Sequence, residues 1–251
     1  MKINTKDLTD YINSKKYDHK IFNITYSKIE KNCIDNFNIN KSNSYRYLGT
    51  YDKMYNITDF LQNIGNNTIT NINKLEQIIR KMIIKVLKVY KFDNFILDIR
   101  VSLPNNKFDI VRWHKDYGYG NKTSKFAVVL QGPGTLFIKS TKEVNDIYHK
   151  IHDKEVEIKR KQKLNFQEQN KLREKYRIKY ANALKKYKIT QLNNNQCVIF
   201  FSGDRQNNIN GALHSEPKID NNRIFISILP QTKEFIDNQI ESDNLATKMI
   251  I

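Results

Sequence analysis

The stretch Phe126-Ala127-Val128-Val129-Leu130-Gln131-Gly132-Pro133-Gly134-Thr135-Leu136-Phe137-Ile138-Lys139-Ser140 decides the reading of the fold. Two apolar runs rich in Val, Ile and Phe flank Gly-Pro-Gly, a combination that stops one strand and starts another. The spacing therefore predicts strands over 126–131 and 135–140. Working outward, short segments of the same character lie at 95–103, 108–113, 196–201, 212–216 and 223–229. Pro104-Asn105-Asn106 and the stretch from Gly118 to Asn121 punctuate them as turns. Seven or eight short strands with such punctuation predict a sandwich or jelly roll.

Two other segments change the period. Over 71–91, Leu75, Ile78, Ile79, Met82, Ile83, Val86 and Leu87 recur at steps of three and four, which predicts an amphipathic helix buttressing a sheet. Residues 141–190 are almost free of Gly and Pro and carry 15 basic and 7 acidic side chains. They read as one or two surface helices inserted between strands. The expected organisation is one domain over 1–251: an N-terminal helical and mixed support (1–91), a core of 92–140 and 191–232, a basic helical insert (141–190), and a C-terminal tail or helix (233–251). In class terms this is α+β with a mainly β core.

Bulk properties narrow the function. The 251 residues, 39% hydrophobic and 11% aromatic, suit a packed globular chain. Cys33 and Cys197 stand far apart, which argues against a disulfide scaffold or a cysteine-rich zinc site. No run of about 18 apolar residues is present, so no membrane-spanning helix is expected. The first residues lack the apolar core of a signal peptide. An intracellular, cytoplasmic setting is expected, and a nuclear or viral one is equally compatible. The formal charge of +17 has two readings. One is an anionic partner such as nucleic acid. The other is codon bias, since Lys, Asn and Ile are abundant throughout.

The chemistry sits in Trp113-His114-Lys115-Asp116 and His214-Ser215-Glu216-Pro217. On an extended chain, residues i and i+2 share a face, so His114 and Asp116 can bind one cation together. His214 supplies a third ligand. Two imidazoles and a carboxylate on one face of an octahedron leave three positions open, the arrangement of non-haem Fe(II) sites. Nine residues on, Arg223 opens an apolar strand, where its guanidinium can grip a carboxylate in a buried pocket. Ser227 shares that face. Arg112 shares the face of His114 and can approach co-substrate or substrate. Glu216 reads as a rim residue, Tyr117 and Tyr119 as loop aromatics, and His19, His149 and His152 as surface residues.

This constellation resembles the Fe(II)/2-oxoglutarate dioxygenase superfamily over roughly residues 95–230. The resemblance rests on HxD at 114–116, the distal His214, Arg223, the turn and strand at 132–137, and the strand at 198–203. It implies a double-stranded β-helix, with His114, Asp116 and His214 as iron ligands and Arg223 anchoring 2-oxoglutarate. It also implies O2 as co-substrate, ascorbate as reductant in vitro, and hydroxylation or oxidative demethylation of a substrate. Within the superfamily, Trp113-His114-x-Asp116 and His214-x-x-Pro217-Lys218 before Arg223 are similar to the AlkB-like nucleic-acid demethylases. That group carries a second Arg six residues after the first, where this chain has Leu229. The alternatives are a hydroxylase of protein side chains or small molecules, and a non-catalytic jelly-roll binding module.

Overall fold

The computed structural model describes residues 1–14, 16, 18–107, 109–118, 123–162, 164–204 and 209–248. Its core is a roll of two antiparallel sheets. The large sheet contains β1 (Lys2–Ile3), β2 (His19–Thr25), β3 (Asn43–Thr50), β4 (Asn94–Ser102), β5 (Ser124–Gln131), β8 (Gln196–Phe201) and β10 (Arg223–Gln231). Its order is β1-β2-β8-β5-β10-β4-β3. The small sheet, in order, is β7 (Ile189–Gln191), β6 (Leu136–Ile138) and β9 (Leu213–Ser215). An isolated bridge between His114 and His214 adds a fourth member beside β9.

The chain thus alternates between layers: β4 large, the bridge at His114 small, β5 large, β6 and β7 small, β8 large, β9 small, β10 large. This winding of eight segments is a double-stranded β-helix, or jelly roll.

Burial follows from side-chain alternation. On β10, Ile224, Ile226 and Ile228 face outward onto helices, while Phe225 faces the roll interior with Ala127, Val129, Phe137 and Phe200. The outward face is covered by α1 (Thr5–Asn13), α2 (Lys28–Asp35), α3 (Ile57–Asn63) and α4 (Ile69–Tyr90). On α4 the buried residues are Ile72, Leu75, Ile78, Ile79, Met82, Ile83 and Val86. Each such burial stabilises by roughly 1.5–3 kcal/mol before entropy is counted. Thr68 caps this helix by accepting from the backbone N–H of Asn71.

Between β6 and β7 the chain makes an excursion of two helices, α5 (Lys142–Lys161) and α6 (Phe166–Leu184). They pack through Val144, Tyr148, Tyr176, Tyr180 and Leu184 onto Trp113, Ile138 and Leu213, the outward face of the small sheet. The C-terminal helix α7 (Lys233–Lys248) places Ile236 against Ile96 and Leu229. Among the described residues, no helix is long and apolar enough to cross a membrane.

One sequence expectation is made specific and one is corrected. The mixed N-terminal support contributes strands as well as helices, since β1, β2 and β3 extend the large sheet at both edges. These strands bury few side chains fully: on β2 only Phe22 and Ile24, and on β3 only Tyr47, with Tyr45 and Leu48 partly buried. The corrected one is the strand expected over 108–113. Phe108 lies outside the described residues, and 109–113 is irregular. The pairing partner here is short: β9 spans three residues, and Pro217, with no N–H, follows two positions later. Only His114 and His214 exchange backbone hydrogen bonds, at 2.9 and 3.0 Å.

Candidate metal centre

That single bridge positions the site. It sets His114 directly opposite His214, with ring centroids 4.2 Å apart. Two residues on from His114, Asp116 turns to the same side. One ligand atom from each of the three lies within 4.8 Å of the others. His114 Nε2 is 3.8 Å from Asp116 Oδ1, and His214 Nε2 is 3.8 Å from Asp116 Oδ2.

The imidazoles are prepared for ligation. His114 Nδ1 meets the carbonyl of Arg112 at 2.9 Å, and His214 Nδ1 meets that of Ala212 at 3.1 Å. A carbonyl can only accept, so each Nδ1 carries the proton and each Nε2 lone pair faces the cavity. Burial, reinforced by neighbouring His114, pushes His214 down to about 4 against the pull of Asp116. Its ring is therefore neutral near pH 7, the form that binds metal. Burial alone would raise Asp116, but His214, Lys125 and His114 together hold its carboxyl well below the usual range. Phe200 and Phe137 pack on His214, with centroids at 4.8 and 5.9 Å.

A cavity of about 80 Å³ joins these ligands to Arg223 and Ser227, and is also lined by Arg100, Lys125, Thr135, Glu216 and Phe225. Arg223 is 4% exposed. Its Nε donates to the carbonyl of Pro133 at 2.9 Å, and its Nη2 donates to Thr135 Oγ1 at 3.3 Å. Among the described residues no carboxylate lies within 4.0 Å of it. Burial pushes this guanidinium down to about 10. The turn at 132–134 brings the Pro133 carbonyl to it. A Cβ on Gly134 would lie 1.7 Å from the carbonyl oxygen of Leu192, so only glycine allows this approach.

Sequence reasoning missed two cavity residues, Arg100 and Lys125. Glu216, read as a rim residue, lines the cavity two residues after His214 with its side chain 20% exposed, and its Oε2 is buried with no hydrogen-bond partner among the described residues. Burial would raise its carboxyl, but His114, His214 and Arg100 hold it below its ordinary value. Arg100 reaches it at 3.7 Å. Lys125, 7% exposed, places Nζ 2.6 Å from Asp116 Oδ2.

The histidines expected at the surface are partly buried and have partners. His19 stacks on Phe137 at 4.6 Å, His149 Nε2 meets Asn210 Oδ1 at 2.5 Å, and His152 stacks on Tyr148 at 5.6 Å. Tyr117 packs at Gly203, while Tyr119 lies outside the described residues.

Arg112 points away from this cavity into a second cleft of about 500 Å³ between α5, α6 and the 107–115 segment. His114 lines both spaces. In the cleft, Lys159 pairs with Glu155 at 2.5 Å and Arg177 with Glu174 at 3.2 Å. Arg112, Lys115 and Arg173 have no carboxylate within 4.0 Å among the described residues. The Lys115 ammonium is buried, donating to Asn145 Oδ1 at 2.6 Å over the Tyr148 ring.

No protein-family model and no curated protein sequence matches the chain. Among solved structures, it is similar to a prolyl-4-hydroxylase from Pseudomonas putida (TM-score 0.45, 7% identity, 91% of this chain and 99% of that one). It is also similar to the rice dioxygenase for auxin oxidation (TM-score 0.45, 8% identity, 92% and 79%). A third is the collagen prolyl hydroxylase of Paramecium bursaria Chlorella virus-1 (TM-score 0.37, 11% identity, 87% and 91%).

Proposed function

We propose that this chain is a non-haem Fe(II)- and 2-oxoglutarate-dependent oxygenase. The observation that carries the reading is one small cavity holding both a His-Asp-His face and a buried guanidinium that, among the described residues, has no carboxylate within 4.0 Å. The donor set fits Fe(II): two neutral imidazole Nε2 atoms and one carboxylate, with three positions left for other ligands. The cavity also fits the co-substrate, because a buried cation near the metal site calls for an anion. His114, Asp116 and His214 would hold the metal, while Arg223, with Ser227 beside it, would hold the far carboxylate of 2-oxoglutarate. When bound, Fe(II), 2-oxoglutarate and O2 supply oxidative decarboxylation to succinate and CO2 coupled to oxidation of a substrate C–H bond.

The protein's contribution is orientation and exclusion of water. The carbonyls of Arg112 and Ala212 fix the imidazole tautomers. Phe200 and Phe225 line the cavity, and Phe137 packs on His214. The test is anaerobic titration of the Fe(II)-loaded protein with 2-oxoglutarate, then succinate formation on admitting O2 with ascorbate. A protein that binds iron and 2-oxoglutarate but never forms succinate would be a non-catalytic jelly-roll module.

The finer reading concerns the substrate, and the cleft beside His114 favours an anionic one. Among the described residues, three cations with no carboxylate within 4.0 Å line it, one of them buried, beside the proposed iron site. Guanidinium forks match phosphate geometry, and the chain's +17 charge favours a polyanion over a single acid. This placement supports oxidation of a nucleic-acid base, as by AlkB-like enzymes, as the substrate reading. Leu229, where those enzymes carry a second Arg, is buried beside Ile96 and Ile236, which leaves co-substrate anchoring on β10 to Arg223. Binding of single-stranded oligonucleotides should fall with salt at a log–log slope of about −0.7 per phosphate neutralised. Arg112→Glu with Arg173→Glu should flatten that slope. Mass spectrometry of methylated DNA and RNA after turnover decides the matter. Loss of no methyl group, with a peptide or metabolite gaining one oxygen, would transfer the assignment to a hydroxylase of those substrates.

A further inference from the structure

Resting on the oxygenase reading, we propose that Lys125 is a positioning residue, making Asp116 a one-oxygen ligand and helping to receive the co-substrate's carboxylate beside the metal. Lys125 is the second residue of β5, opposite Phe200 on β8. On its face of the strand follow Ala127 and Val129, both packed inside the roll. An ammonium at the head of this apolar row is costly unless paired. Its side chain is 9% exposed, and its Nζ meets Asp116 Oδ2 at 2.6 Å.

The geometry divides the carboxylate between two tasks. Both oxygens lie 3.8 Å from a histidine Nε2, Oδ1 from His114 and Oδ2 from His214, but Oδ2 is also held by Lys125 at 2.6 Å. Chelation of a metal through both oxygens would require Oδ2 to give up its short, charge-assisted bond. Asp116 is thereby steered to one-oxygen ligation, so that three protein ligands occupy three positions. The same ammonium repels a dication held by Asp116, and attracts an anion arriving at the metal. Lys125 and Arg223 line the same cavity. A dicarboxylate would thus meet a cation towards each end, the metal with Lys125 at one and Arg223 at the other.

The two electrostatic effects have opposite signs, which separates this role from plain structural support. Lys125→Met should bind Mn(II) about tenfold more tightly, because the repelling charge is gone. Its Mn(II)-loaded form should bind 2-oxoglutarate about tenfold more weakly. Lys125→Arg should stay near the wild type in both. Free Mn(II) by electron paramagnetic resonance and anaerobic 2-oxoglutarate titration read these without turnover. A parallel fall of both affinities in Lys125→Met, or no change in either, overturns the proposal while leaving the oxygenase reading intact. A wild-type protein that takes up no Mn(II) sinks both.

Discussion

Replacing Arg223 by Met tests whether its guanidinium serves a ligand or the fold. Arg223 is 4% exposed and is pulled from an ordinary 12.5 to about 10 by burial. That displacement corresponds to about 3 kcal/mol spent on keeping the charge in the unliganded protein. The compensation in the structure comes from the Phe225 ring at 4.8 Å, the attraction of Glu216 across the cavity, and two neutral acceptors, Pro133 O and Thr135 Oγ1, each hydrogen bond contributing about 1.5–3 kcal/mol to a charged donor. Methionine occupies similar space without the charge, so the folded state should stay within about 1–2 kcal/mol of the wild type. Removing one member of a structural ion pair would instead cost about 3–5 kcal/mol. Binding of 2-oxoglutarate should weaken by about 2–5 kcal/mol, roughly 30-fold to several thousandfold, while metal affinity holds. The assays are urea unfolding without metal, and anaerobic titration of the charge-transfer band with Fe(II) present. Unchanged 2-oxoglutarate affinity together with a large loss of stability would refute the reasoning, because Arg223 would then be a structural cation.

Asp116→Ala and His214→Ala should each lower Mn(II) affinity by more than the roughly 10–100-fold that losing a supporting contact costs, read by equilibrium dialysis. The metal-free protein should lose stability on acidification: His214 is depressed to about 4 from an unfolded 6.5, so its contribution is complete above about pH 6.5 and is lost as pH falls through about 4. His214→Asn should flatten that limb in urea melts with chelator, and an identical pH slope in the variant would exclude His214 as the source. Gly134→Ala should destabilise by about 1–3 kcal/mol or more, seen as a lower melting temperature, because the new methyl meets the Leu192 backbone. A Glu216→Gln variant should keep Mn(II) binding, since Glu216 is outside the three-residue ligand cluster; a large loss would make it a ligand after all.

What could be read from the chain depended on how strongly each residue's surroundings constrain it. Strands β5, β8 and β10 are buried on both faces, so their sequences are nearly continuous apolar runs and stand out. Helix α4 declares itself by a stripe buried at three- and four-residue steps. Edge strands β2 and β3 bury too little to leave a period, so the mixed support could not be divided into strands. The candidate metal ligands were legible because HxD spacing and strand alternation are local. Lys125 was missed because the strand was started at Phe126, which left an isolated lysine looking like a solvated end. The signal was present: a cation directly heading a fully apolar run, with Asp116 nearby in the chain. Glu216 stands at the same two-residue step from His214 as Asp116 does from His114, and its rim reading left open how far its carboxylate reaches into the cavity. Arg100 needs the β4–β10 register, which no local pattern encodes.

The excursion carrying α5 and α6 leaves the small sheet at Ile138 and returns at Ile189, and these two residues are direct partners in the β6–β7 register. Topologically, some fifty residues therefore occupy the place of a hairpin turn. Because closing a longer loop adds cost only logarithmically, such a segment can be exchanged, lengthened or shortened in evolution at little expense to the rest of the roll. The cavity residues His114, Asp116, His214 and Arg223 all lie outside it, and its ties to the frame are the apolar patch around Trp113, Ile138 and Leu213 with polar contacts such as Lys115 to Asn145 and Arg177 to the Ile110 carbonyl. The two parts are in this way heritable separately: a lineage could replace the helical pair and reshape the cleft while leaving the candidate metal centre untouched.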